Sequence, residues 1–117
     1  MPDTNVSDLE RVHVLVSGKV QGVYYRSAAS EQASVLGIRG WVRNMPSGQV
    51  ELCAEGSRAV LEQLVAWCHL GPPAARVEEV RAEYGPATGE FTDFQVKREE
   101  IAGPPGGAYS GPKKDEG

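Results

Sequence analysis

Two stretches with helical spacing, 23–36 and one that begins after Ser57, are separated by two alternating stretches with only Pro46-Ser47-Gly48 between them. That interleaving constrains the fold more than any other feature of the chain. A three-residue Pro/Gly turn folds the alternating stretches, 38–45 and 49–55, into a hairpin. In the first helical stretch Ala29, Ala33 and Leu36 recur on one face, and Gly37 supplies a stop. In the second, Ser57 is placed as an N-cap, and Val60, Leu61, Leu64, Val65, Trp67 and Cys68 form one broad apolar face. Gly71-Pro72-Pro73 ends it, because proline cannot continue a helix.

Ahead of the first helix, residues 11–17 alternate, with Val12, Val14 and Val16 on one face and His13, Leu15 and Ser17 on the other. After the second helix, 76–84 and 91–98 read as further strands. The order is β-α-β-β-α-β with an added C-terminal strand. It predicts an α+β, ferredoxin-like α/β sandwich, with both helices on one face of a mainly antiparallel sheet. A chain of 117 residues builds one such domain and not two. Residues 10–99 are expected to form it. Residues 1–9 read as a flexible extension, and 100–117, dominated by Gly, Pro and charge, as a disordered tail.

Charge and composition narrow the function classes. The formal net charge is -4, the opposite of what a general nucleic-acid binder shows. An RNA-recognition sheet of this architecture needs aromatic residues on its central strands. Val12, Val14, Val16, Val50 and Leu52 stand there instead. The N-terminus shows no secretory signal, and no apolar run reaches membrane-spanning length, so a cytoplasmic setting with no membrane partner is expected. Cys53 and Cys68, the two cysteines, are not a CxxC pair and read as buried, reduced thiols. His13 and His69 lack partners at ligand spacing, so neither a metal nor a cofactor is expected. Trp67 reads as core, Trp41 as core ahead of a place beside the 18–26 loop, and Glu31, Glu51 and Glu55 as residues of solvated faces.

Between the first strand and the first helix lies Gly18-Lys19-Val20-Gln21-Gly22-Val23-Tyr24-Tyr25-Arg26. A helix N-terminus offers unpaired N–H groups and partial positive charge, which suits an anion. Arg26 falls in the first turn, where the helix dipole disfavours a cation by about 0.3–1 kcal/mol. An anion between the two positive groups reverses that sign, and a guanidinium grips two of its oxygens at once. A first-turn arginine is most often simply solvated, and a glycine pair is weak by itself. The residues alone therefore point to an anion site. They do not form a Walker loop, for Val20 follows Gly18-Lys19 in place of Ser or Thr.

The 18–26 segment resembles the signature loop of acylphosphatases, small enzymes that hydrolyse carboxyl-phosphate mixed anhydrides. A second family motif follows in Gly40-Trp41-Val42-Arg43-Asn44, and weaker matches in Gly48-Gln49-Val50-Glu51, Gly71-Pro72 and Arg76-Val77. The resemblance covers residues 10–98. It implies that the backbone N–H groups of Gln21, Gly22, Val23, Tyr24 and Tyr25, together with Arg26, hold the phosphoryl oxygens, and that Asn44 positions the attacking water. It further implies an acyl phosphate as substrate, hydrolysed without metal, with inorganic phosphate or sulfate binding as product or inhibitor; small size and an acidic, patch-poor composition favour a monomer. Tyr25 departs from the commoner Phe and adds a hydroxyl that needs a partner. Two rival roles share the fold. One is the carbamoyl-phosphate-processing N-terminal domain of hydrogenase-maturation carbamoyltransferases, which continue into long further domains where this chain ends. The other is a non-enzymatic anion-binding regulatory module.

Overall fold

Alternation and helical spacing produce the expected elements in the computed structural model, which describes residues 9–97. They are β1 (Glu10–Lys19), α1 (Tyr25–Leu36), β2 (Arg39–Asn44), β3 (Val50–Gly56), α2 (Arg58–Leu70), β4 (Arg76–Pro86) and β5 (Phe94–Lys97). The extension and tail expected at 1–9 and 100–117 lie outside the described residues, Leu9 excepted, as does the last residue of the strand expected at 91–98.

The strands form one sheet in the order β4-β1-β3-β2-β5. β1 is antiparallel to β3 and β4, and β2 to β3, whereas β5 runs parallel to β2. Register sets the faces. Val12 and Val14 lie opposite Ala54 and Leu52, and these in turn opposite Gly40 and Val42. This row and its neighbours Val16 and Val50 are fully buried against α1 and α2. Burying each such Val or Leu stabilises the fold by about 1.5–3 kcal/mol. Ala29 and Ala33 of α1 and Leu61, Leu64 and Cys68 of α2 complete the core from the helical side. Gly40 carries φ 144, and a Cβ there would stand 1.9 Å from the Cys53 carbonyl oxygen. β2 and β3 therefore approach this closely only with glycine at that position.

The helix ends follow local chemistry. Ser57 Oγ accepts the Val60 N–H at 3.4 Å, and α2 stops at Leu70 before Gly71-Pro72-Pro73. Boundary differences of two residues or more fall at the signature loop, at the end of β4, which runs to Pro86 and not 84, and at the last strand. β1 runs on to Lys19 because its register with β4 shifts between Ser17 and Gly18, and Gly18 at φ 123 absorbs the irregularity. The loop is thus 20–24, not 18–22. α1 begins at Tyr25, not Val23, because Gly22 and Tyr24 both have positive φ. Residues 91–93 belong to the β4–β5 connection and not to β5.

Candidate active site

The 20–24 loop is held from inside by Val20 and Val23, both buried, and turns through left-handed backbone at Gly22 (φ 76) and Tyr24 (φ 65). A tyrosine in that region costs about 1–2 kcal/mol, and its ring here is 68% exposed, so contacts of the ring do not offset the strain. What the conformation achieves is a helix end open to solvent. The first bond of α1 runs from the Ala28 N–H to the Tyr24 carbonyl at 3.1 Å. The amides before it point past the helix end, the Tyr24 side chain makes no capping hydrogen bond, and no acidic residue occupies the first turn.

Three further features converge on this end of the sheet. Arg26 is 1% exposed, and its Nη1 donates to the Lys97 carbonyl at the end of β5 at 2.8 Å. Gln21 Nε2 donates to the carbonyls of Met45 and Gln49, at 2.8 and 2.9 Å, tying the loop to the β2–β3 turn. Asn44 is the last residue of β2, beside Met45, and pairs with Val50, itself opposite Val16 of β1. It shares the helix-facing side of β2 with Val42. Among the described residues its side chain makes no hydrogen bond, so its amide is available to a water or ligand. Loop, arginine and asparagine thus come from three separate elements to one corner. The side-chain tie of Gln21 and the Lys97 carbonyl were not foreseen from the sequence. Any residue supplies a carbonyl, so Lys97 carried no signal at all.

Tyr25 faces away from this corner into the core. Its hydroxyl donates to the Cys68 carbonyl at 2.7 Å, and its ring tilts against Trp67 with centroids 5.2 Å apart. Burial, then the neighbouring Cys68, raises the phenol pKa far above its ordinary value. Burial also pushes the Cys68 thiol up to about 12 and raises that of Cys53, so neither is a thiolate at neutral pH. Both cysteines are buried and free, as expected.

The sheet face opposite the helices corrects several expectations. Glu55 is 4% exposed and Glu51 largely covered, where solvated residues were expected; Glu31 is exposed. Glu51 accepts from His13 Nε2 and Arg43 Nε. Its burial raises its pKa, but those two hydrogen bonds outweigh that and leave it below its ordinary value. Trp41 is not in the core. It lies on this face with Arg43 Cζ 5.6 Å and Lys97 Nζ 5.3 Å from its ring centre. Trp67 is partly buried against the core. The valines weighed against RNA recognition all face the helices, so they say nothing about this side. Trp41 is the single aromatic residue of β1, β2 and β3.

Among the described residues no three His, Cys, Asp or Glu side chains are grouped to hold a metal ion, and no helix is long and apolar enough to cross a membrane. Comparison with known proteins adds the chemistry. The acylphosphatase family model matches residues 12–96. An acylphosphatase of Methylococcus capsulatus is 54% identical over 91 residues, which cover 78% of this chain and 99% of that protein. One from Marinobacter nauticus is 56% identical over 88 residues, covering 75% of this chain and 96% of its own. The solved structure of an acylphosphatase from Coxiella burnetii superposes with a TM-score of 0.72 at 40% identity, covering 77% of this chain and 94% of that one. With the motifs on the expected elements and the relatives matched over almost their whole length, this chain belongs to the acylphosphatase family.

Proposed function

We propose that the chain hydrolyses acyl phosphates to a carboxylate and inorganic phosphate, with the phosphoryl group held by the 18–26 segment. The observation that carries this is the meeting of the open α1 end, Arg26 and Asn44 at one corner, joined by the two hydrogen bonds of Gln21. The amides of Gln21 to Tyr25 and the Arg26 guanidinium bind the phosphoryl oxygens. The Asn44 amide oxygen orients a water in line with the scissile bond. Water oxygen bonds to phosphorus as the P–O bond to the acyl group breaks, the carboxylate leaves, and the water proton passes to a phosphoryl oxygen. Alignment and fixed positive charge suffice, because the transferred group needs little covalent help and the carboxylate is a good leaving group. An asparagine amide is too weak a base to take the proton itself.

In this reading residues 10–99 are the functional unit, acting as a cytoplasmic monomer without metal or cofactor, with phosphate or sulfate as competing anions. The test is hydrolysis of benzoyl phosphate by the purified chain with chelator present. Turnover should survive chelation, fall competitively with inorganic phosphate, and drop by at least about 10²–10³ in Arg26→Ala or Asn44→Ala. A folded protein that binds phosphate without turnover would instead establish an anion-binding module.

A further inference from the structure

The β4–β5 connection, residues 87–93, leaves one edge of the sheet and arrives at the other, so it must pass β1, β3 and β2 on the way. Its course is pinned at Glu55 of β3. Glu55 Oε2 accepts from Arg11 Nε at 2.9 Å, the Thr88 N–H at 2.9 Å and Thr88 Oγ1 at 3.1 Å, and Oε1 accepts from the Gly89 N–H at 3.0 Å. Arg11 continues the clamp. Its Nη2 donates to Thr88 Oγ1 and Glu90 Oε2, both at 3.0 Å, and its guanidinium lies 5.2 Å from the Phe91 ring centre. Past the clamp, the Asp93 carbonyl accepts the Gly40 N–H at 2.9 Å, and β5 begins one residue later.

Among the described residues β5 spans Phe94–Lys97, lies at the sheet edge, and is laddered to β2 alone. Its last described residue, Lys97, supplies the carbonyl that receives Arg26 Nη1. A continuous line of bonds therefore joins Glu55 to the arginine of the site, through the connection and the short strand. An exposed ion pair would contribute little. Glu55 is different, for it is 4% exposed, and its four donors include two backbone amides with no other acceptor among the described residues.

We propose that Glu55 is a positioning residue: through the 87–93 connection it sets where β5 lies along β2, and so where the Lys97 carbonyl holds the Arg26 guanidinium. The turnover arm of the test rests on the acylphosphatase reading; the phosphate-binding arm does not.

Glu55→Gln keeps the shape but turns one acceptor oxygen into a donor facing donors. In the full chain at 25 °C, below its melting transition, it should weaken inorganic phosphate binding about fivefold and lower kcat/KM for benzoyl phosphate about tenfold. In an Arg26→Lys background the same change should alter both by less than about twofold, because the arginine it acts through is gone. A loss of stability alone would lower the melting temperature and leave both readouts of the folded protein unchanged. Folded Glu55→Gln with wild-type phosphate affinity overturns the proposal, and so do losses that simply add to those of Arg26→Lys. Should Glu55→Gln fail to fold, Thr88→Val removes one of the four donors to Glu55, and with it the hydroxyl that accepts from Arg11 Nη2 and the Glu90 N–H within the same clamp. A loss of phosphate affinity of about twofold or more there supports the proposal, and wild-type affinity overturns it. A wild type that binds phosphate but turns nothing over refutes the enzyme reading and leaves binding to judge the clamp; one that does neither overturns both.

Discussion

Arg26 is a buried cation in the first turn of α1, at the end of the helix whose dipole by itself disfavours positive charge. Its geometry suits a guanidinium for the proposed function. One nitrogen already donates to the Lys97 carbonyl, so under the proposed function a residue here serves that acceptor and the phosphoryl oxygens together. The planar fork of arginine can do both, whereas an ammonium is a point charge on a flexible stem. Arg26→Lys should therefore keep the fold and lose about 10²-fold or more in kcat/KM, measured with benzoyl phosphate. Near-normal kinetics would refute the two-sided grip.

At the scale of elements, the molecule ties the start of one helix to the end of the other. The Tyr25 hydroxyl on α1 satisfies the Cys68 carbonyl, one of the last four of α2, which have no partner within the helix. Tyr25→Phe restores the residue that the family signature more often carries, yet in this chain it leaves that carbonyl buried and unmatched. Urea denaturation should show a loss of about 1 kcal/mol, with turnover close to wild type since the ring stays in place. An unchanged midpoint would mean that water replaces the hydroxyl without cost.

For the whole molecule, the face opposite the helices holds two carboxyls that tie stability to pH. Burial raises the pKa of Glu51 and of Glu55, but hydrogen bonds outweigh it: His13 and Arg43 on the first, Thr88, Gly89 and Arg11 on the second. Arg39 of β2 and Glu90 of the connection also neighbour Glu55, the former as its cross-strand partner and the latter through Arg11. Both carboxyls end below the ordinary glutamate value of 4.5. Their contribution is full above that value and is lost as pH falls through the lowered folded-state values. Melting temperature should hold from neutral pH to about pH 5 and then decline, and the decline should be shallower in Glu51→Gln and Glu55→Gln. An acid limb identical in wild type and both variants would show that other groups govern it.

The local problem was solved by the sequence itself. Alternation in β1, helical spacing after Ser57 and the turn at Pro46-Ser47-Gly48 each follow from neighbours a few residues apart, so the order of elements and the helix-facing row of valines could be read directly. The open helix end and the arginine inside it were legible for the same reason. What only the tertiary structure decided is what depends on residues far apart in the chain. Glu55 looks like any strand glutamate until Thr88 and Gly89, more than thirty positions away, close over it. Trp41 follows the same logic, because nothing local says which face of the sheet the helices will leave uncovered. The Lys97 carbonyl that accepts from Arg26 is chemically anonymous, and only the tertiary placement of β5 beside β2 brings it there.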